Sequence, residues 1–355
     1  MHNQPKKRIL VAPLNWGLGH ATRCIPLINA LIANTFEPVI ASDGIALKLL
    51  QKEFPDLETI ELPSYNIAYS KKAQFFKLKI LQNSPKLIKA INAEKKVTKT
   101  IVKTHRIDGI LSDNRFGVYS KHIPCVFMTH QLKVLSGSTT WLSTKMHQNI
   151  IKRFDECWVP DNLGDDSLSG ELGQSDGIGI PIKYIGPLSR LKKSEHTIKY
   201  DLMVLLSGPE PQRTLLQNLL LKELETYKGS ALVVKGVIDG ESKVSKSNNI
   251  TNYNYMTSNA LEKALNESNI ILSRSGYTTV MDLAKLEKKA FFIPTPGQFE
   301  QEYIAKRLDQ LGYVPSCNQN DFKIEMLDTV KNYKGLTLTE YSTNYKKLFN
   351  LFKGK

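Results

Sequence analysis

Short apolar runs with β-branched members recur along the chain, each closed by a turn signal and followed by residues at helical spacing. Ile9–Ala12 runs into Pro13, and Asn15–His20 then opens a helical pattern through Ile25, Leu27, Ile28 and Leu31. Pro38–Ala41 and Thr59–Leu62 read as strands, with a helix over Ala46–Phe54 between them. Gly109–Ser112, Cys125–Thr129 and Cys157–Val159 continue the rhythm. It restarts with Leu202–Leu206, a helix over Arg213–Tyr227, and strands at Ala231–Val234, Ile270–Leu272 and Ala290–Ile293. Continuous apolar runs of this length fit strands buried on both faces, and their alternation with helices predicts βαβ units and parallel sheets. The Gly-, Pro- and Asp-rich stretch from Asp161 to Glu195 suits a connector. The expected architecture is α/β: two Rossmann-like, doubly wound domains facing each other across a cleft. Residues 1–182 form the first and 183–335 the second. Residues 336–355 form a terminal helix, with Tyr345, Leu348 and Leu351 at helical spacing, packing back on the N-terminal domain.

Composition narrows the chemistry. A chain of 355 residues suits two domains, and a hydrophobic fraction of 41% lets each bury a core. Lys+Arg exceed Asp+Glu by 48 − 34 = 14, which favours an anionic partner. No apolar run approaches the roughly 18 residues of a membrane span. Ile9–Ala12 is far too short for a secretory signal core. Cys24, Cys125, Cys157 and Cys317 are scattered, with no zinc or disulfide spacing, so a reducing cytoplasm and no metal are expected.

Residues 71–106 break the rhythm. They hold 11 Lys/Arg against one acidic residue, Glu94, a net of 11 − 1 = +10. Phe75, Phe76, Leu78, Ile80, Leu81, Leu87, Ile88 and Ile91 interleave with the charge. One reading is a pair of helices with a solvated basic face. Another is an interfacial surface meeting anionic headgroups at about 1 kcal/mol per basic side chain. No nucleic-acid motif accompanies the charge, so no nucleic-acid partner is expected.

Four loops carry candidate chemistry. Gly17-Leu18-Gly19-His20 follows the first strand, where glycines permit positive φ or close ligand approach and a helix N-terminus offers N–H groups to an anion. His20, at the carboxyl edge of the sheet, is placed to be a general base. Ser273–Thr279 follows the strand at Ile270 and suits phosphate, with Arg274 nearby. Asp282, in the first turns of the next helix, fits either a ribose diol or a favourable place in the helix dipole. Gln298, Glu300, Gln301 and Glu302 cluster after the strand at Ala290 and fit sugar hydroxyls or an ordinary capped helix start. Ser207-Gly208 follows the strand at Leu202, and Arg190 lies in the connector within reach of a diphosphate. Asp113, after the strand at Gly109, either orients a histidine or caps a following helix. His2, His105, His122, His147 and His196 read as surface or structural.

With these residues in order, the sequence resembles the GT-B glycosyltransferases. It is most similar to the branch with a family 28-like C-terminal domain that holds the lipid II N-acetylglucosaminyltransferase and the galactolipid synthases. Arg274-Ser275-Gly276, Thr279-Val280, Asp282 and Gln301 carry the likeness, and His130-Gln131 stands where that family has His-Glu. The resemblance implies an inverting, metal-independent transfer of a hexose or N-acetylhexosamine from a UDP-sugar to a hydroxyl acceptor, lipid-linked or of the cell envelope. It implies no cofactor. Asp282 would bind the ribose. Ser275, Gly276, Tyr277 and Thr278, with Ser207, Gly208, Arg190, Arg274, Gly17 and Gly19, would line the donor site. Gln298 would also belong to the donor site, and Gln301 and Glu302 would hold the sugar. His20 would be the base, Asp113 would orient it, and His130 and Gln131 would meet the acceptor, His130 being a second base candidate. The implied location is cytoplasmic, peripheral on an anionic membrane through residues 71–106.

Gly17–Cys24, GLGHATRC, is also similar to the GxGHxxRC loop of the UDP-sugar hydrolases of nonulosonic acid synthesis. That likeness implies water as the acceptor. A non-catalytic nucleotide-sugar-binding module is the third expectation. Ser207-Gly208-Pro209-Glu210 departs from the GGSxG pattern of the transferases, and His130-Gln131 departs from His-Glu.

Overall fold

The computed structural model describes residues 5–65, 76–208, 210–237, 241–337 and 343–354, with 76–85 described as backbone alone. Two compact units emerge. The first holds the described residues of Met1–Ile67, Ile80–Leu188 and Glu340–Lys355, and the second those of Ala68–Lys79 and Ser189–Thr339.

The first unit is built on strands β1 (Arg8–Pro13), β2 (Glu37–Ser42), β3 (Thr59–Glu61), β4 (Gly109–Asp113), β5 (Cys125–Met128), β6 (Glu156–Val159) and β7 (Ile182–Tyr184). They form one seven-stranded sheet ordered β3-β2-β1-β4-β5-β6-β7, every pairing parallel. Helices α1 (Gly19–Ala33), α2 (Gly44–Glu53), α3 (Phe76–Thr104) and α4 (Thr140–Ile151) connect the strands. Ile9 to Ala12 and Cys125 to Met128 are almost solvent-free, as strands covered on both faces must be. The order reverses between β1 and β4. Such a switch point opens a crevice beyond the carboxyl ends of the strands. Pro13 pairs with Asp113 there, and the backbone N–H of Leu14 bonds to the Asp113 carbonyl at 2.9 Å.

The basic segment differs from the expected helix pair: its described part is a single helix of 29 residues, α3. Its one acidic residue, Glu94, is fully buried and accepts from Arg115 Nη1 at 2.8 Å, Tyr65 Oη at 2.6 Å and the Gly117 N–H at 2.8 Å. Burial pushes its carboxyl above the usual carboxylate range, against the pull of Arg115. Arg115 also pairs with Asp43 and donates from Nε to the Pro13 carbonyl, so α3 is tethered to the end of β1. Lys86, Lys89, Lys95, Lys96, Lys99 and Lys103 remain exposed on the other face. The expected apolar members Phe75, Phe76, Leu78, Ile80 and Leu81 lie outside the described side chains, as do residues 71–75 altogether.

The end of the chain belongs to this first unit. Instead of one helix, it makes two short turns, α9 (Tyr345–Leu348) and α10 (Asn350–Lys353). Phe349 and Phe352 are buried against Phe36 and Trp158, with ring centroids 5.8–6.4 Å apart.

The second unit holds β8 (Tyr200–Leu205), β9 (Ala231–Val234), β10 (Val244–Ser247), β11 (Ile250–Tyr253), β12 (Ser268–Ser273) and β13 (Lys289–Phe292), ordered β10-β11-β9-β8-β12-β13. Among the described residues of this sheet, only the β10–β11 edge pairing is antiparallel. Helices α5 (Gln212–Leu224), α6 (Ser258–Asn266), α7 (Tyr277–Lys285) and α8 (Phe299–Gln310) accompany them. Leu216, Leu220 and Leu224 of α5 pack on Val204 and Val233 of the sheet. This order also reverses, between β8 and β12, which places the loops at Ser207 and Arg274 at a second switch point.

Candidate functional site

The first constellation lies at the β1/β4 switch point. Gly17 takes φ +77° in the turn after β1, a conformation open to glycine at little cost. Helix α1 then starts at Gly19 with no side-chain cap, so His20 sits in its first turn. Arg23 is one turn further on, on the same helix face. Asp113 is the last residue of β4 rather than the cap of a following helix, and its carboxylate is solvent-free.

These groups meet closely. Asp113 Oδ1 lies 3.0 Å from His20 Nδ1, and Asp113 Oδ2 accepts from Arg23 Nε at 2.7 Å. Arg23 Nη2 closes the second arm of the pair on Asp113 Oδ1. Arg23 Nη2 is also 2.9 Å from His20 Nδ1, and Arg23 Nη1 is 3.1 Å from His130 Nδ1. Cys24 Sγ contacts Asp113 Oδ2 at 3.7 Å. Burial pushes the Asp113 carboxyl up, yet the Arg23 charge and the hydrogen bonds from His20 and Arg23 prevail and hold it well below the usual carboxylate range. Burial and the Arg23 charge pull His20 below the usual histidine value despite Asp113, so the ring is neutral at neutral pH. Burial and Asp113 push the Cys24 thiol up, which keeps it protonated. A neutral imidazole bonded at Nδ1 to a buried carboxylate is the arrangement of a general base. Gln131, next to His130, donates its backbone N–H to Thr129 Oγ1 at 3.1 Å and is half-buried.

The second unit sorts its expected site residues into three groups. Ser189, Arg190 and Asp282 come together: Ser189 Oγ donates to Asp282 Oδ1 at 2.6 Å, with the Arg190 charge beside it. Burial raises the Asp282 carboxyl to about 6, against the pull of Arg190 and Ser189. Gly276, the N-cap of α7, and Thr278 after it are half-buried, and a methyl group at Gly276 would meet nothing within 4 Å. Gly208, at φ +98° in the loop beyond Ser207, is exposed.

The remaining expected donor contacts face inward. Arg274 is 1% exposed, and its guanidinium donates to the carbonyls of Ile293, Pro294 and Gln212 and to Gln319 Oε1. It ties the loops after β12 and β13 together instead of reaching out to a phosphate. Ser275 Oγ donates to the Gln301 carbonyl at 2.8 Å, and Tyr277 is buried. Gln301 Oε1 accepts from the Thr295 N–H and Glu302 Oε1 from the Gly297 N–H. These side chains shape the Pro294–Gln298 turn, and Gln298 is the N-cap of α8. Among the described residues no three His, Cys, Asp or Glu side chains gather as metal ligands would.

Sequence reasoning passed over Arg23 as a site residue. The signal was its position three residues after His20 in GLGHATRC; a basic side chain there reads as solvent-facing until β4 places a carboxylate beneath it.

Residues 229–344 match the glycosyltransferase family 28 C-terminal domain. The chain is similar to an uncharacterized glycosyltransferase of Methanopyrus kandleri, 24% identical over 83% of this chain and 85% of the relative. It is also similar to the UDP-N-acetylglucosamine--N-acetylmuramyl-(pentapeptide) pyrophosphoryl-undecaprenol N-acetylglucosamine transferase of Clostridium tetani, 22% identical over 92% and 90%. The chain is a glycosyltransferase. Its fold is GT-B: the calicheamicin glycosyltransferase CalG4 superposes with a TM-score of 0.63 at 11% identity, covering 93% of this chain and 90% of the other. MurG of Acinetobacter baumannii does so with 0.53 at 13% identity, covering 92% and 90%. The matched domain of this glycosyltransferase spans β12, α7, β13 and α8, the elements that carry Arg274, Asp282 and Gln301.

Proposed function

We propose that the protein is an inverting, metal-independent glycosyltransferase that moves a hexose or N-acetylhexosamine from a UDP-sugar to a hydroxyl of a lipid-linked acceptor. The contact that carries the reading is His20 Nδ1 to Asp113 Oδ1 at 3.0 Å. With Nδ1–H held on Asp113, His20 Nε2 takes the proton of the acceptor hydroxyl as that oxygen attacks the anomeric carbon. The bond to the UDP oxygen breaks on the opposite side, which inverts the centre. Asp113 stabilises the imidazolium. Arg190 and the uncapped N-terminus of α7 meet the charge of the leaving diphosphate, and Asp282 accepts from the ribose hydroxyls. The sugar and acceptor follow from the likeness to N-acetylglucosamine transferases acting on a pyrophosphoryl-undecaprenol substrate. The exposed lysines of α3 would bring the enzyme to an anionic cytoplasmic membrane face. No described helix is long and apolar enough to cross a bilayer.

His20→Ala tests the reading. Transfer from UDP-N-acetylglucosamine to an undecaprenyl-pyrophosphoryl acceptor should fall by about 10²–10⁴. UDP binding, read by thermal shift, should stay within a few-fold. Full turnover in this variant would end the proposal. A second reading, hydrolysis of the UDP-sugar, draws on the buried Arg23 of the GLGHATRC loop. Stoichiometric free sugar from enzyme and donor without acceptor would favour it.

A further inference from the structure

The Arg23 guanidinium lies between the two histidines that sequence offers as first and second base candidates. Nη1 is 3.1 Å from His130 Nδ1, and Nη2 is 2.9 Å from His20 Nδ1. A guanidinium only donates and keeps its charge at any physiological pH. A ring nitrogen that takes a hydrogen bond from it must therefore offer a lone pair, unless a carboxylate on the same atom takes a proton from it instead. At His130 this fixes the tautomer: Nδ1 is bare and the proton sits on Nε2. At His20 the same atom faces both the Arg23 donor and the Asp113 acceptor, at 2.9 and 3.0 Å. Only there can Nδ1 hold the proton, bonded to the carboxylate, and leave Nε2 as the bare nitrogen a base needs.

We propose that Arg23 is a positioning residue that sorts the two rings, fixing His130 as an N–H donor to a substrate oxygen and leaving His20 as the only base. This rests on the transfer reading above and deepens it. In the reaction the acceptor O–H proton passes to His20 Nε2, the acceptor oxygen bonds to the anomeric carbon, and the bond to UDP breaks with its electron pair on the diphosphate. His130 gives up no proton; it holds an oxygen in place. Arg23 has a second effect. The charged and titratable groups facing His20 are Asp113 from β4, Arg23 from α1 and His130 from the loop after β5. Burial does most to keep His20 unprotonated, and of these groups Arg23 adds to it most, making the imidazolium quicker to release its proton.

The test begins with the unmodified protein. In ¹⁵N-histidine-labelled enzyme, with rings assigned by His20→Gln and His130→Gln, the ¹⁵N shifts should show His130 protonated at Nε2 and bare at Nδ1 at neutral pH. A His130 protonated at Nδ1, or on both nitrogens, overturns the proposal and needs no activity to be read. The acid limb of the kcat/KM profile gives the second readout. Arg23→Lys keeps the charge and should leave the limb in place, whereas Arg23→Met should move it up by about one pH unit. A folded Arg23→Met enzyme with an unmoved limb refutes the electrostatic role. His130→Gln, which keeps an N–H near the Nε2 position, should retain turnover to within about tenfold, the scale of one modest hydrogen bond. His20→Gln should not, and equal loss in the two would overturn the division of labour.

Discussion

Replacing Asp113 by asparagine removes one charge and almost no volume, at the point where the first constellation is joined. The native carboxylate is solvent-free and takes both arms of Arg23, His20 Nδ1 and a contact from the Cys24 thiol. In the variant Arg23, 2% exposed, keeps its charge without a counter-ion. Breaking a buried pair on one side costs about 3–5 kcal/mol. The amide must also turn an N–H₂ toward either Arg23 or His20. Facing His20, it drives Nδ1 to accept, puts the proton on Nε2 and removes the base, a loss of about 10³–10⁴ in kcat. Urea unfolding followed by fluorescence should show a lower midpoint with an unchanged slope, and UDP affinity should hold. The pH dependence has a definite sign. A carboxyl held below its unfolded value adds stability that is present above about pH 4 and is lost as the pH falls toward its folded value. The variant should therefore lose stability less steeply in acid than the native enzyme. An asparagine variant with a native midpoint and more than a tenth of native turnover would refute both the buried pairing and the role of the dyad.

Asp282→Asn should act in the opposite direction on stability. Its carboxyl is raised to about 6, so between the unfolded value near 4 and pH 6 the native state binds the extra proton and stability declines as pH rises. At pH 7.5 the amide should stabilise the ligand-free protein by at most about 3 kcal/mol, while UDP binding, measured by calorimetry, weakens. A less stable asparagine variant would contradict the burial. In the core, Gly109→Ala places a methyl group 2.5 Å from Phe352 Cδ1 and 3.0 Å from Ile9 Cδ1. The unfolding midpoint should fall by an amount equivalent to about 1–3 kcal/mol, and adding Phe352→Leu should recover part of the loss, a coupling that a double-mutant cycle reads directly.

The sheet strands were legible because burial on both faces leaves nothing but apolar side chains in them, as in Ile9–Ala12 and Leu202–Leu206. The edge hairpin β10–β11 was not: Val244–Ser247 is wholly exposed and lacks any apolar alternation. β7 was hidden inside the presumed connector, where its three half-buried residues carry little signal. His20, Asp113 and Asp282 could be placed because each lies at the carboxyl end of a strand or in the helix that follows it. The inward use of Arg274, Ser275 and Gln301 could not, since hydroxyl, amide and guanidinium groups serve a backbone carbonyl as readily as a ligand. Direction depends on where β13 and its loop fall. Arg23 was missed for the converse reason: its counter-charge comes from a residue ninety positions away.

Phe349 and Phe352 carry a consequence for biogenesis. The first unit's interior beside Trp158 and Gly109 is closed by residues 349 and 352, which are made long after its own strands. The strands of the second unit, by contrast, all fall within Ser189–Thr339. The unit whose strands are made first is thus the one whose packing is completed last.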